Sequence, residues 1–331
     1  MNNLKKIGLS ALAGSLVAVS AANAGSLSVS GGAKMSYTAD TGNEDAQDDG
    51  NRWGLQQAIS FSGSGELDNG HTVSLLHVID AGGTTHSSSV LTYDMGDMGT
   101  LRYQQSSGSL GIGIIDDLTP TAVEEVFDGL NADSHSDGSE DLNGRVSGGV
   151  TGFNYRNTAM DGLTLDVGYS PKTTSSNPDD GENSGTGGLR STTSVAIQYT
   201  GMEGLNIYAG TGEKGTASAE EDHDTYGVKY AWGPLTVGYQ HSEIDPTGTS
   251  SDVETDSIGI SFAVNENLSV SYGEQTTERT GVTLEQEVSG VSIGYSMGGM
   301  AFGFHKNKVE NIKQVTAKES EHTELTVSFA F

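Results

Sequence analysis

One long segment of the chain, residues 106–143, carries nine of its 44 acidic side chains. The carboxylates singled out there belong to Asp116, Asp117, Glu124, Glu125 and Asp128. Carboxylates on one side of a narrow aperture, with basic side chains opposite, would make a transverse electric field that orders water and disfavours apolar solutes. A connection of this length is usually either functional or disordered. The alternative is that these carboxylates are simply solvated loop charges.

Acidic clusters elsewhere could bind calcium, which prefers oxygen ligands. The candidate calcium site is Asp45 with Asp48 and Asp49. The segment 133–144 resembles a calcium loop only superficially, because its third position is His135 and its twelfth is Gly144. Solvated, self-repelling loops are the alternative for every cluster. No other cofactor is expected.

The sequence contains no motif that would bring together residues for covalent or metal-assisted catalysis. The chain has no cysteine, so it has neither thiolate nucleophiles nor disulfides. No His-Glu-x-x-His motif is present, and the eight histidines are scattered over separate segments. We therefore expect no catalytic residues and no enzymatic activity. A barrel hydrolase whose catalytic residues come from distant segments is the alternative.

The charge balance restricts the class of partner. The chain carries 44 acidic and 16 basic residues, a formal net charge of −28 at pH 7. Nucleic-acid binding needs clustered Lys and Arg side chains, so it is excluded as a function. The mean hydropathy of −0.35 does not exclude a membrane protein, because strands that alternate lipid-facing and polar residues average out to polar.

The first 24 residues have the pattern of a cleaved signal peptide. Lys5 and Lys6 precede the apolar run 7–22, and Ala22-Asn23-Ala24 forms a small-x-small cleavage site. The sequence therefore predicts an exported protein whose mature domain is 25–331.

The remaining chain is dominated by period-two alternation, which is typical of β-strands with one apolar and one polar face. In the first stretch Leu27, Val29 and Met35 share one parity, whereas Ser28 and Ser30 take the other. Sixteen such stretches are predicted, near residues 27–37, 55–61, 73–79, 91–93, 101–103, 145–155, 163–169, 195–199, 205–209, 226–232, 235–239, 258–264, 268–272, 291–295, 302–304 and 325–331.

The connections alternate between two lengths. Short turns rich in Asn, Asp and Gly, which tolerate positive φ, join one set of strand ends. Long acidic loops are expected at 38–53, 80–88, 106–143, 171–190, 213–224, 242–254, 275–286 and 307–320. Short turns at one rim and long loops at the other predict an all-β transmembrane antiparallel barrel of about sixteen strands, with periplasmic turns and extracellular loops.

With these features the mature chain resembles the general porins of Gram-negative bacteria, which are sixteen-stranded and trimeric. The opening strand 25–37, the long third loop 106–143 and a C-terminal strand ending in Phe carry the resemblance. It implies a homotrimer in the outer membrane and a third loop that folds into the pore. It also implies that the terminal strand is recognised by the barrel-assembly machinery, through Leu325, Val327, Phe329 and Phe331.

On this interpretation the five carboxylates of the third loop line one side of a constriction. A short helix is expected in the middle of the loop, at 119–130, because Pro120 suits a first helical position. The basic residues expected on the opposite pore wall are Lys34, Arg52, Arg102, Arg145 and Lys229.

The sequence thus favours an outer-membrane diffusion porin for small hydrophilic solutes and ions, cation-preferring because acidic residues dominate its loops. Its expected surroundings are outer-membrane lipid. A substrate-selective channel of the same fold is one alternative, and saturable transport would distinguish it. A non-conducting barrel that acts as an adhesin or structural surface protein is another.

Overall fold

A computed structural model of the chain describes residues 27–42, 50–80, 87–105, 109–130, 146–149, 151–171, 190–215, 220–247 and 252–331. These residues form sixteen antiparallel strands that close into one barrel. The strands are β1 Leu27–Thr41, β2 Gly50–Glu66, β3 Thr72–Asp80, β4 Ser88–Asp94, β5 Thr100–Gln105, β6 Gly152–Met160, β7 Leu163–Ser170, β8 Thr192–Tyr199, β9 Leu205–Gly215, β10 Glu220–Trp232, β11 Leu235–Pro246, β12 Val253–Ala263, β13 Leu268–Arg279, β14 Gln286–Met297, β15 Met300–Glu310 and β16 Glu319–Ala330.

Every strand pairs with its neighbours in sequence, and β1 pairs with β16 to close the ring. The backbone of Gly31 exchanges two hydrogen bonds with that of Phe331, at 2.7 and 2.9 Å. Closure removes the unpaired edges that an open sheet would present, so all sixteen strands share their ladder hydrogen bonds. The predicted fold class and strand number are confirmed.

The barrel is apolar outside and polar inside. Along β10, the outward side chains of Tyr226, Val228 and Trp232 are 53%, 39% and 75% exposed, whereas the inward His223 and Thr225 are buried. The other strands also have exposed apolar side chains outside and buried polar side chains inside, which is the reverse of the arrangement in a soluble protein. An apolar outer surface of this extent suits lipid rather than water.

Several strands are longer than their apolar stripes. Parts of the loops expected at 213–224, 242–254 and 275–286 are strand, because β9 to β13 continue toward that rim with mostly polar residues. The predicted bounds of these loops were therefore wrong. Apolar alternation marks only the part of a strand that faces lipid, while backbone pairing continues beyond it.

The described helices are three short 3-10 turns, Gly96–Met98, Gly111–Ile115 and Ile312–Gln314. Among the described residues, no helix has the length and apolar character needed to cross a membrane.

Candidate functional site

The described part of the third loop, residues 109–130, lies inside the barrel against the inward side chains of the wall. Its apolar side chains make two small cores there. Ile112 and Ile115 pack with Ala196 and Tyr208 of the wall. The second core consists of Phe127, Leu130, Val288, Val309 and Ile312. The loop therefore brings the only sizeable apolar cores of the described residues into a polar interior.

Glycines at inward positions of the wall make room for the loop. A Cβ added at Gly238 would lie 2.6 Å from a ring carbon of Pro120, and one at Gly259 would lie 2.8 Å from its carbonyl oxygen. Both distances are too short for a real contact, so side chains there would push the loop away. The same holds on neighbouring strands, where Gly273 meets Val126, Gly294 meets Ala122 and Gly303 meets Val123.

Backbone groups of the loop are bonded to wall side chains. The Gly111 N–H donates to Asn154 Oδ1 at 2.8 Å, and the Leu118 N–H donates to Gln240 Oε1 at 3.0 Å. Gln240 Nε2 in turn donates to the Asp116 carbonyl oxygen at 2.6 Å. Asn307 Nδ2 donates to carbonyl oxygens near the end of the loop.

The helix predicted at 119–130 is absent, and the segment forms bends and turns. The physical reason is that its polar backbone groups find partners on the wall, so the chain does not need internal helical hydrogen bonds to satisfy them. The regular turn of the loop lies earlier, at Gly111–Ile115.

One loop carboxylate meets a basic wall residue directly. Glu124 Oε1 lies 3.4 Å from Lys34 Nζ, and each side chain is about one-third exposed. Both line a cavity of about 380 Å³ next to the loop. Among the described residues, this pair joins one of the acidic loop residues to one of the basic residues expected opposite them.

Two other carboxyl groups of the loop have raised pKa values. Burial raises the pKa of Asp117 to about 6, although hydrogen bonds from Thr119 oppose the shift. Burial and the neighbouring Glu125 carboxyl raise the pKa of Asp128 to about 7. Asp116 and Glu125 are half-buried. The negative charge of the loop therefore depends on pH near neutrality.

Arg102 faces a different part of the loop. It lines a cavity of about 820 Å³ together with Arg156, wall hydroxyls that include Ser62 and Thr92, and Ser109 of the loop. This cavity lies between strands β1 to β6 and the beginning of the third loop. Its basic side chains face small and apolar loop residues rather than the loop carboxylates.

Arg156 was not singled out from the sequence, yet it is central to this wall. Its Nε and Nη2 atoms donate to the two carboxylate oxygens of Asp166 at 2.8 and 2.9 Å. Asn154 also donates to Asp166, at 2.9 Å, and Asp166 is buried. The period-two pattern of β6 and β7 could have placed all three residues on one face.

The other expected basic residues lie apart from the loop carboxylates. Lys229 lines a third cavity, of about 620 Å³, beside Thr119 and Pro120. Arg52 donates to Asp40 of the neighbouring strand at 2.8 Å.

Some predicted residues cannot be placed. Arg145 and the candidate calcium ligands Asp45, Asp48 and Asp49 lie outside the described residues, as do the proposed signal peptide and the loop's end at 131–143. Their roles stay predictions. The residues of the terminal strand, by contrast, are placed: Leu325 and Phe329 face outward and are nearly half exposed.

One string, 290–294, does match the Gly-x-Ser-x-Gly pattern of hydrolases. A nucleophile elbow needs a sharp turn between a strand and a helix. Ser292 instead lies within β14, and its hydroxyl is 2.6 Å from that of Ser271 on the adjacent strand. The string therefore lacks the geometry of an elbow.

Comparisons with known proteins agree with this architecture. A family model described as Gram-negative porin matches residues 8–299. No curated protein sequence matches the chain significantly.

Solved structures with similar folds are outer-membrane proteins. An anion-selective porin from Comamonas acidovorans is 14% identical, with a TM-score of 0.66 over 93% of this chain and 100% of that one. The trimer form of OmpT from Vibrio cholerae is 10% identical, with a TM-score of 0.61 over 93% and 99% of the two chains. An engineered variant of the Rh. blastica porin is 13% identical, with a TM-score of 0.61 over 92% and 100%. At these identities the likeness concerns the fold alone.

Proposed function

The chain belongs to the Gram-negative porin family, and from this premise we propose that it is a general diffusion porin that prefers cations. Family and fold together support an outer-membrane diffusion channel. The proposal adds that small hydrophilic solutes and ions pass without a dedicated binding step.

The observation that carries the proposal is the lining of the cavity of about 820 Å³ between the wall and the third loop. Most of its lining residues are polar, including serine and threonine hydroxyls with Arg102 and Arg156, while Leu75, Leu76, Val90 and Ile114 add apolar surface. Hydroxyl and guanidinium groups keep water in a space of this size, whereas apolar side chains would favour drying or binding of apolar ligands.

Cation preference is proposed from the charge of the third loop. Residues 109–130 contain five carboxylates and no Lys or Arg. A narrow space with low-dielectric walls concentrates the field of such charges and raises the local concentration of counter-ions. The anion-selective porin from Comamonas acidovorans shares the fold, so the sign of selectivity depends on side chains and not on the barrel.

Further parts of the proposal follow from the sequence and the family. They comprise a signal peptide at residues 1–24, assembly of the terminal strand by the barrel-assembly machinery into outer-membrane lipid, and the absence of enzymatic activity and of a calcium cofactor. A homotrimer is proposed because a solved structure of OmpT from Vibrio cholerae is a trimer form.

The test is single-channel recording from purified protein in a planar bilayer under a salt gradient. The reversal potential of the wild type should have the sign of cation selectivity. Glu124→Gln should reduce that potential, because it removes one negative charge and leaves Lys34 without its partner at 3.4 Å. Glu321→Gln is the matched control, since it removes the same charge from an outward position of β16.

The outcomes separate the hypotheses. Steps in groups of three would support the trimer. An anion-selective reversal potential, or equal shifts in Glu124→Gln and Glu321→Gln, would refute the role of the loop carboxylates. Flux that saturates with one solute would indicate a substrate-selective channel. If a protein shown to be folded gives no conductance, the channel is refuted and an adhesin or structural role takes its place.

A further inference from the structure

Two histidines and a glutamate lie together on the inner wall beside the third loop. His305 is on β15, and His322 and Glu324 are on β16, where Glu324 is the register partner of His305. All three residues are buried, with exposures of 1%, 6% and 8%. One ligand atom of each lies within 4.8 Å of the others.

The imidazole of His305 has no hydrogen bond, although it is almost fully buried. Neither Nδ1 nor Nε2 has a hydrogen-bond partner. The nearest carboxylate oxygens are those of Glu324, 3.8 Å from Nε2, and of Glu124, 3.9 Å from Nδ1. A buried polar group without a partner is costly, so both ring nitrogens of His305 are available to a ligand.

His322 is oriented for a ligand by the residues behind it. Its Nδ1 atom is hydrogen-bonded to Asp40, and Asp40 is held in place by Arg52 at 2.8 Å. In the tautomer that donates Nδ1–H to this carboxylate, Nε2 has a lone pair for a ligand. A carboxylate behind a histidine in this way is the usual support of a metal-binding imidazole.

We propose that His305, His322 and Glu324 form a binding site for a divalent transition-metal ion of the zinc type. Two imidazoles and one carboxylate are a ligand set that zinc accepts, with water or a further carboxylate in the fourth position. Calcium and magnesium prefer oxygen ligands only, so the two imidazoles select against them.

The site is close to the size that zinc needs. With metal–ligand bonds of about 2.0 to 2.1 Å, ligand atoms around a tetrahedral zinc ion are roughly 3.3 Å apart. Separations of up to 4.8 Å would close by rotation of the side chains. The carboxylates of Glu324, Asp40 and Glu124 exceed the two positive charges of Lys34 and Arg52, which favours a cation.

The position of the site links it to the third loop. Nε2 of His305 lies 3.8 Å from a carboxylate oxygen of Glu324, and its Nδ1 lies 3.9 Å from one of Glu124 in the loop. Glu124, which lies 3.9 Å from His305, also lines a cavity of about 380 Å³ together with Lys34. A bound divalent cation would therefore add positive charge at the loop. This consequence rests on the proposed function: in a cation-preferring channel, the added positive charge would reduce the cation current.

The test uses the full folded chain in detergent and does not depend on conduction. Titration with Co²⁺ should give the visible absorption band of a tetrahedral site, saturating at one equivalent per chain, and Zn²⁺ should abolish the band. The variants His305→Gln and Glu324→Gln should lose it. Asp40→Asn should weaken binding by about 10- to 100-fold, the range expected for a carboxylate behind a ligand.

His241→Gln is the matched control, because Nδ1 of His241 also faces a carboxylate, that of Asp256 at 3.0 Å, but on the outer side. It should bind Co²⁺ as the wild type does. Folding of each variant is checked by heat-dependent gel mobility. If His305→Gln does not fold, Glu324→Gln carries the comparison.

Absence of a one-equivalent band in the wild type, or an unchanged band in His305→Gln and Glu324→Gln, would overturn the site. Current is measured separately: micromolar Zn²⁺ should lower the conductance of the wild type and leave that of Glu324→Gln unchanged. A wild type that binds Co²⁺ but does not conduct would support the site and refute the proposed channel.

Discussion

The substitution Asp166→Asn tests the network that fixes the beginning of the third loop. Asp166 is 1% exposed and accepts hydrogen bonds from Arg156 and Asn154. Asn154 in turn accepts one from the backbone of Gly111 in the loop. Replacing one carboxylate oxygen by an amide NH₂ group places a donor against the guanidinium and leaves Arg156 without a counter-charge.

The magnitude follows from burial. Removing one partner of a buried ion pair costs about 3 to 5 kcal/mol, because the other charge stays buried without compensation. The Arg156 side chain is 33% exposed, so water can partly replace the lost partner. We therefore expect the free energy of unfolding to fall by about 2 to 3 kcal/mol.

The assay is equilibrium unfolding by urea from lipid vesicles, followed by tryptophan fluorescence. The chain has two tryptophans, Trp53 and Trp232, both more than 70% exposed on the outer surface. Their emission reports transfer out of lipid. The control is Glu321→Gln, which breaks the exposed pair of Glu321 with Lys306 at 2.9 Å. A surface pair of this kind contributes about 0 to 1 kcal/mol.

Two results would refute this reasoning. One is a loss in Asp166→Asn that does not exceed the loss in Glu321→Gln. The other is a large loss without any increase in open-channel current noise, since a loosened loop should fluctuate in the pore.

Two further predictions concern the third loop. Because the pKa values of Asp117 and Asp128 are raised to about 6 and 7, both carboxyls gain protons as the pH falls from 8 to 5. Cation selectivity, measured as the reversal potential, should decline over this range, and a pH-independent value would contradict it. Secondly, Gly238→Val should displace the loop at Pro120, where a Cβ would lie 2.6 Å away, and should lower single-channel conductance. Gly65→Val is its control, since a Cβ there meets nothing within 4 Å, and equal conductance in the two variants would refute the prediction.

The sequence alone predicted the barrel well. Period-two alternation is a local property, because successive side chains of a strand point to opposite faces whatever lies further along the chain. Tyr226, Val228 and Trp232 were therefore recognisable as one face before any pairing was known. Their outward direction agrees with the exposure of the same residues in the structure.

The same local information failed for the third loop. Pro120 and the residues after it are compatible with a helix, but Gly238 and Gly259 offer the chain a docking surface. These glycines lie far along the sequence, on β11 and β12. The residues near Pro120 in the sequence carry no information about these glycines. The conformation of the loop is therefore determined by its contacts with the barrel wall.

What the sequence determined, then, is which residues face lipid, how many strands there are and that the chain closes. Tertiary structure decided which charged and polar groups meet. Lys34 and Glu124 are 90 residues apart, and Asp40 and His322 are 282 residues apart. Such meetings depend on strand register and on closure between β1 and β16, since a shift of one residue would turn every side chain of a strand to the other face.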